Sequence, residues 1–116
     1  MKSFAMMLCL MALPLAAADV TGDWKVEGEI AGNPVTPTCT LKQEGAKLSG
    51  ACKSELGESA LKGEVDGEKV KFEYEIDYNG TKYLLTYSAT LDSANSMKGT
   101  VDAGVASGAF TAKKEK

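Results

Sequence analysis

The alternation of apolar and polar residues is strongest between Glu68 and Leu91. Every second residue is apolar on each side of Asn79-Gly80, and the residues between them are mostly charged or hydroxylated. A period of two places alternate side chains on opposite faces of a β-strand. Asn-Gly accepts the positive φ angles of a type I′ turn, whose twist matches that of paired strands. The stretch is predicted to be one long hairpin, with an apolar face made of Val70, Phe72, Tyr74, Ile76, Tyr78, Tyr83, Leu85, Tyr87, Ala89 and Leu91.

The same period of two precedes the hairpin. It predicts a strand over 20–30, a turn at Gly32-Asn33-Pro34, a strand over 35–42 and another over 46–53. Pro37 has no N–H group to donate to a ladder, so a bulge or a break in pairing is expected there.

The stretch 54–62 has no β-branched residue and is interrupted by Gly57, so it is predicted to be a loop. Alternation resumes over 61–65, and after the hairpin it predicts two further strands over 97–101 and 106–112. The chain therefore reads as an all-β, antiparallel up-and-down meander of about eight strands.

Glycine recurs at inward positions of four strands, at Gly50, Gly63, Gly99 and Gly108. Inward glycines let strands coil sharply, as a small closed barrel requires. Eight strands joined by short turns can close and remove their edges. A single-domain barrel is expected, and a two-sheet sandwich is the competing architecture.

The N-terminal segment has the features of a secretory signal peptide. A basic start at Met1-Lys2-Ser3 is followed by an apolar run over 4–15 and by Ala16-Ala17-Ala18. The run is shorter than the roughly 20 residues that span a bilayer. We expect a signal peptide over 1–18, a barrel domain over 19–116 without a membrane span, and a periplasmic or secreted location.

Cys39 and Cys52 remain after residue 18, and a pair of cysteines in an exported chain predicts a disulfide. A turn centred on Gly45-Ala46 places the two directly opposite each other. A turn centred on Glu44-Gly45 makes them diagonal neighbours on the same inner face. Two thiols fall short of the usual four zinc ligands, so no metal site is expected.

Composition narrows the classes of function. The chain has 13 lysines, no arginine and no histidine, and a net charge of −3. A nucleic-acid partner is not expected, since phosphate binding favours an arginine-rich basic face. Without histidine there is no Ser-His or Cys-His pair for nucleophilic catalysis. The carboxylates fall mostly at outward positions, so we expect neither an enzyme nor a cofactor.

The four tyrosines share the inner face of the hairpin. They are either core residues whose hydroxyls bond the backbone or reach a barrel end, or the aromatic wall of a ligand pocket. The second interpretation gives a candidate ligand site made of Phe72, Tyr74, Tyr78, Tyr83, Leu85 and Tyr87.

The Gly22-Asp23-Trp24 motif on the first strand resembles the calycin group, which includes lipocalins and avidins. That resemblance implies that Trp24 plugs one end of the barrel. Lipocalins pair this tryptophan with an arginine on a late strand, and here Lys113 lies nearest the corresponding place.

Over nearly the whole mature chain, the sequence resembles a small secreted bacterial β-barrel module of unsettled function. The resemblance rests on segments such as Leu41-Lys42-Gln43-Glu44-Gly45 and Met97-Lys98-Gly99-Thr100-Val101. Two functions follow as expectations for a monomeric, non-enzymatic protein. One is binding of a small apolar or amphipathic ligand inside the barrel. The other is a protein-interaction or protease-inhibitor-like module with a fully packed barrel. Interior volume distinguishes the two.

Overall fold

The computed structural model describes residues 19–115, so the predicted signal peptide over 1–18 lies outside the described residues. The described chain folds into nine antiparallel β-strands joined by short turns. Their bounds are β1 Gly22–Ile30, β2 Asn33–Val35, β3 Thr38–Glu44, β4 Lys47–Ser54, β5 Gly57–Asp66, β6 Lys69–Tyr78, β7 Thr81–Ser93, β8 Ser96–Asp102 and β9 Ser107–Lys114.

The sheet closes on itself through its first and last strands. Consecutive strands pair with each other from β3 through β9, and β1 pairs with both β3 and β9. The β1–β9 ladder runs from Trp24 opposite Lys114 to Gly28 opposite Phe110. Eight strands therefore form a closed barrel, with β2 as a short additional strand beside β1. This confirms the predicted all-β barrel over the two-sheet sandwich.

The predicted irregularity at Pro37 is present. It separates β2 from β3, which both lie beside β1, and its carbonyl oxygen accepts a hydrogen bond of 3.0 Å from the Val26 N–H. The turn predicted at Gly32-Asn33-Pro34 begins one residue earlier and ends two residues earlier than predicted. Its centre is Ala31-Gly32, with φ angles of 53° and 83°. Proline cannot adopt a positive φ, so Pro34 lies in the strand that follows.

The long hairpin is formed as predicted by β6 and β7. Tyr78 lies opposite Thr81, and Asn79 and Gly80 have φ angles of 54° and 82°. The Asp77 carboxylate accepts a hydrogen bond of 3.1 Å from the Gly80 N–H, which adds a side-chain contact to the turn. The Asn-Gly pair thus sets the register of the whole hairpin.

The loop predicted over 54–62 is wrong. Ser54 lies opposite Gly57, and a two-residue turn at Glu55-Leu56 leads directly into β5. Gly57 has a φ of 115°, which favours glycine, so the residue that suggested a loop instead begins the strand. The weak β-propensity of this stretch is overridden because β5 pairs with β4 from Gly57 to Glu64.

Two of the inward glycines are required by the close approach of neighbouring strands. A Cβ atom at Gly99 would collide with the Ser88 carbonyl and the Ala89 backbone, and one at Gly63 would collide with the Lys71 carbonyl. The barrel can therefore coil tightly, as the glycine pattern predicted. The core lies inside it and contains no buried charged residue within the described chain.

Candidate functional site

The end of the barrel at which β1 begins is packed, and Trp24 is buried there. Its side chain is 1% exposed, and its Nε1–H donates a hydrogen bond of 2.8 Å to the carbonyl of Val20. The ammonium of Lys114 lies 5.9 Å from the centre of the indole ring and donates to the Asp19 carbonyl. Lys114, and not Lys113, therefore occupies the place beside the tryptophan, because Lys113 is exposed.

The disulfide joins β3 to β4, and its Cys39 lies directly opposite Trp24 of β1. Cys39 and Cys52 are directly opposite each other, with Cα atoms 4.0 Å apart, because the turn is centred on Gly45-Ala46. The bond joins β3 to β4 one residue from the pair Thr38 and Lys53, where their ladder ends. It confirms the predicted pairing and fastens the segments that lead into the open end.

Aromatic rings fill the middle of the barrel. Tyr87 stacks on Phe72, with ring centres 4.7 Å apart, and on Tyr74 at 5.6 Å. Phe110 of β9, two strands away from β7 in the sheet, meets Tyr87 edge-on at 4.9 Å. Both geometries are favoured by aromatic pairs. The barrel is therefore packed at its centre.

The hydroxyl oxygens of Tyr74 and Tyr87 lie 2.7 Å apart in a buried hydrogen bond. Burial raises the pKa of both phenols, because an apolar environment penalises the phenolate. The proximity of Tyr74 raises the pKa of Tyr87 further. Both side chains therefore carry their protons at neutral pH.

Above this aromatic layer the barrel opens into a cavity of about 410 Å³. Tyr74 and Leu85, both buried, line it at the level of the packed core, while half-buried residues form its walls and exposed ones its rim. The wall includes Ile30, Val35, Ile76 and Tyr83, and the rim includes Leu56, Tyr78 and Val105.

One wall is the tip of the long hairpin. The β5–β6 ladder ends at Lys62 opposite Glu73, and the β7–β8 ladder begins only at Thr86. Beyond these points the tip is held by its own ladder and by the Ser59 hydroxyl, which donates 2.7 Å to the Glu75 carbonyl. The tip is less constrained than the barrel wall below it.

The structure divides the six residues of the predicted ligand site. Tyr74, Tyr78, Tyr83 and Leu85 line the cavity. Phe72 and Tyr87 belong to the packed core instead, because their rings face each other and Phe110. The space is therefore at one end of the barrel and not along the whole tyrosine face.

Sequence reasoning missed the cavity residues that come from the turns. Leu56 and Val105 are 50% and 82% exposed, and both lie between strands, where polar residues are usual. The signal that could have identified them is an apolar residue within a turn. Outward Leu84, 48% exposed, lies on the same hairpin tip but does not line the cavity.

The remaining chemistry of the described residues is limited. Over 19–115 no three histidine, cysteine, aspartate or glutamate side chains cluster as metal ligands. The same residues contain no helix long and apolar enough to cross a membrane.

No protein-family model matches the chain, and no curated protein matches it significantly. Fold and site together define a small, disulfide-linked, closed antiparallel barrel with a cavity at one end.

Proposed function

We propose that this protein is an exported, non-enzymatic binding protein for a small apolar or amphipathic molecule, which enters the open end of the barrel. The cavity of about 410 Å³ above the aromatic layer carries the proposal. Its volume falls within the range of about 300–1,000 Å³ that is typical of ligand pockets. The buried disulfide is compatible with export.

The lining supports a largely apolar ligand. Ile30, Val35, Ile76 and Leu85 supply aliphatic surface, and Tyr83 adds an aromatic ring. A ligand in contact with these side chains removes apolar surface from water, which is the main favourable term in such binding. The few polar groups at the rim, such as Thr36 and Ser54, leave room for a polar end that faces solvent.

Charge around the open end disfavours an anionic ligand. Glu55 is the one charged residue among those described as lining the cavity. Carboxylates outnumber ammonium groups on the adjoining strand ends and turns, where the former are Glu29, Glu55, Glu58, Glu75, Asp77 and Asp102 and the latter Lys53 and Lys82. A negative field at the mouth repels carboxylates such as fatty acids, and the repulsion weakens with salt. The proposed ligand is therefore uncharged or cationic.

Ligand binding needs no side chain whose pKa is tuned for proton transfer, whereas acid–base catalysis does. The chain has no histidine, and within residues 19–115 no charged side chain is buried in a site where its pKa would be tuned for proton transfer. The packed-barrel alternative, a protein-interaction module, relied on a filled interior. The cavity at the open end favours the ligand-binding proposal over it.

A fluorescence titration with N-phenyl-1-naphthylamine, an uncharged probe that brightens when it leaves water, tests the proposal. Ala106 lines the cavity, whereas Ala109 points outward on β9. Ala106→Phe fills the cavity, and Ala109→Phe is the matched control. We expect the wild type and the control to bind with a dissociation constant of about 10–100 μM, by ligand efficiency.

Loss of probe binding in Ala106→Phe, with binding retained in Ala109→Phe, supports the proposal. An absence of binding by the wild type, or equal binding by both variants, contradicts it. Circular dichroism of each variant shows that the barrel is folded.

A further inference from the structure

The hydrogen bond between Tyr74 and Tyr87 leaves one hydroxyl proton to be accounted for. A phenol has one proton to donate, so in a pair only one hydroxyl is the donor. Within residues 19–115, the structure gives neither hydroxyl a second hydrogen bond. The proton of the accepting tyrosine is therefore left without an acceptor from the described chain.

The surroundings of the two tyrosines decide which one donates. Tyr87 is 0% exposed, lies between Phe72 and Phe110, and does not line the cavity. If Tyr74 were the donor, the Tyr87 proton would be buried among aromatic rings without an acceptor, which is costly. If Tyr87 donates, the Tyr74 proton is the free one, and Tyr74 does line the cavity. The distance alone allows either direction, and these surroundings favour Tyr87 as the donor.

We propose that the Tyr74 hydroxyl is the hydrogen-bond donor in the depth of the cavity, and that the ligand is an uncharged apolar molecule with an acceptor oxygen at its buried end. A ketone, a quinone or an ester has this chemistry. The proposal rests on the proposed function, since it names the ligand class of the same cavity. Tyr87 acts as a positioning residue, because its donation turns the Tyr74 proton toward the cavity.

The hydrogen bond from Tyr87 to Tyr74 strengthens the preference of the cavity for ligands with an acceptor oxygen. Hydrogen bonds in series polarise one another, so a Tyr74 hydroxyl that already accepts from Tyr87 is a better donor. The raised pKa of Tyr74 keeps its proton in place at neutral pH. Tyr78 at the rim and Tyr83 in the wall are more exposed than Tyr74 and can exchange their hydrogen bonds with water.

Two ligands of nearly equal shape test this inference. 2-Acetylnaphthalene has a carbonyl acceptor, and 2-ethylnaphthalene has none. Their dissociation constants are measured by competition with N-phenyl-1-naphthylamine in the wild type, Tyr74→Phe and Tyr87→Phe. The ratio of the two constants is compared between proteins, so that the different solubilities of the ligands cancel.

We expect Tyr74→Phe to lower the preference for the ketone about five-fold, the usual weight of one neutral hydrogen bond. Tyr87→Phe should lower the preference less, by about two-fold, because Tyr74 keeps its proton but loses the hydrogen bond that orients and polarises its hydroxyl. The hydrocarbon should bind all three proteins alike, which shows that each cavity is intact.

Equal preference in all three proteins, or an equal loss in both variants, overturns the inference while leaving the cavity as a binding site. Failure of both naphthalenes and of the probe to bind the wild type contradicts the proposed function itself.

Discussion

The indole Nε1–H of Trp24 donates to the backbone carbonyl of Val20 at 2.8 Å, so the segment before β1 is tied to a buried side chain near the start of that strand. The packed aromatic rings lie above this end, and the cavity lies above them. The barrel is therefore built with one closed end and one open end. The stability of the closed end and the ligand binding of the open end can be tested separately.

Trp24→Ala should lower the free energy of unfolding by about 3–5 kcal/mol, because it removes a fully buried aromatic ring and leaves a cavity. Urea denaturation followed by circular dichroism measures the change. Leu84→Ala, at a residue that is 48% exposed, serves as the control and should stay within about 0.5 kcal/mol. Equal stability of the two variants contradicts the closed end.

The double variant Cys39→Ala with Cys52→Ala should be less stable by about 3 kcal/mol, from the entropy that a crosslink over a sequence separation of 13 removes from the unfolded chain. Denaturant curves of the oxidised protein and the variant give this difference. Thiol titration of the mature, denatured, unreduced protein should detect no free thiol. Two free thiols would show that the bond does not form in the isolated protein.

Gly99→Ala should destabilise the barrel by about 1–3 kcal/mol, because the added Cβ collides with the Ser88 carbonyl and β7 must shift. The cost is steric, since Gly99 does not have a positive φ. Thermal unfolding measures it, with Thr100→Ser at the next, exposed position as the control. An unchanged melting temperature in Gly99→Ala would mean that the two strands are not so close.

Stability should fall at alkaline pH because the pKa of Tyr74 and of Tyr87 is raised in the folded state. Above about pH 10 the unfolded chain releases these protons and the folded chain keeps them, so the unfolded state is favoured as pH rises. While both groups keep their protons in the folded state, the decline is about 2.7 kcal/mol per pH unit, twice the value for one group.

Tyr87→Phe should halve this decline, and denaturant unfolding between about pH 10 and 12 measures it. Phe110→Leu, which loosens the same core without removing a proton, should shift the curve while keeping its slope. A slope that is equal in the wild type and in Tyr87→Phe would mean that the Tyr87 hydroxyl is not buried in the folded protein.

Local chemistry predicted much of the fold. Asn79-Gly80 sets its own turn, and Pro37 its own break, because each residue limits the backbone directly. The sequence alone allows two registers for Cys39 and Cys52, because the turn can be centred on Glu44-Gly45 or on Gly45-Ala46. The strand that begins at Gly57 was missed, because its pairing with β4 outweighs its weak local preference.

The candidate site was predictable only in part. Tyr74 and Tyr83 share a face with Phe72 and Tyr87, and alternation alone does not tell which of them meet other rings. That depends on Phe110, which comes to Tyr87 through the pairing of β7 with β8 and of β8 with β9. The turn residues at the rim come from distant parts of the sequence and meet only in the folded barrel.

Binding of a small apolar molecule at the open end of the barrel can be observed residue by residue. Methyl NMR spectra are recorded during a titration with N-phenyl-1-naphthylamine. We expect saturable shifts for Ile30, Ile76 and Leu85, which line the cavity, and none for Val20 and Leu41 near Trp24. Spectra that do not change at saturating probe, or shifts that are largest at the closed end, would contradict it.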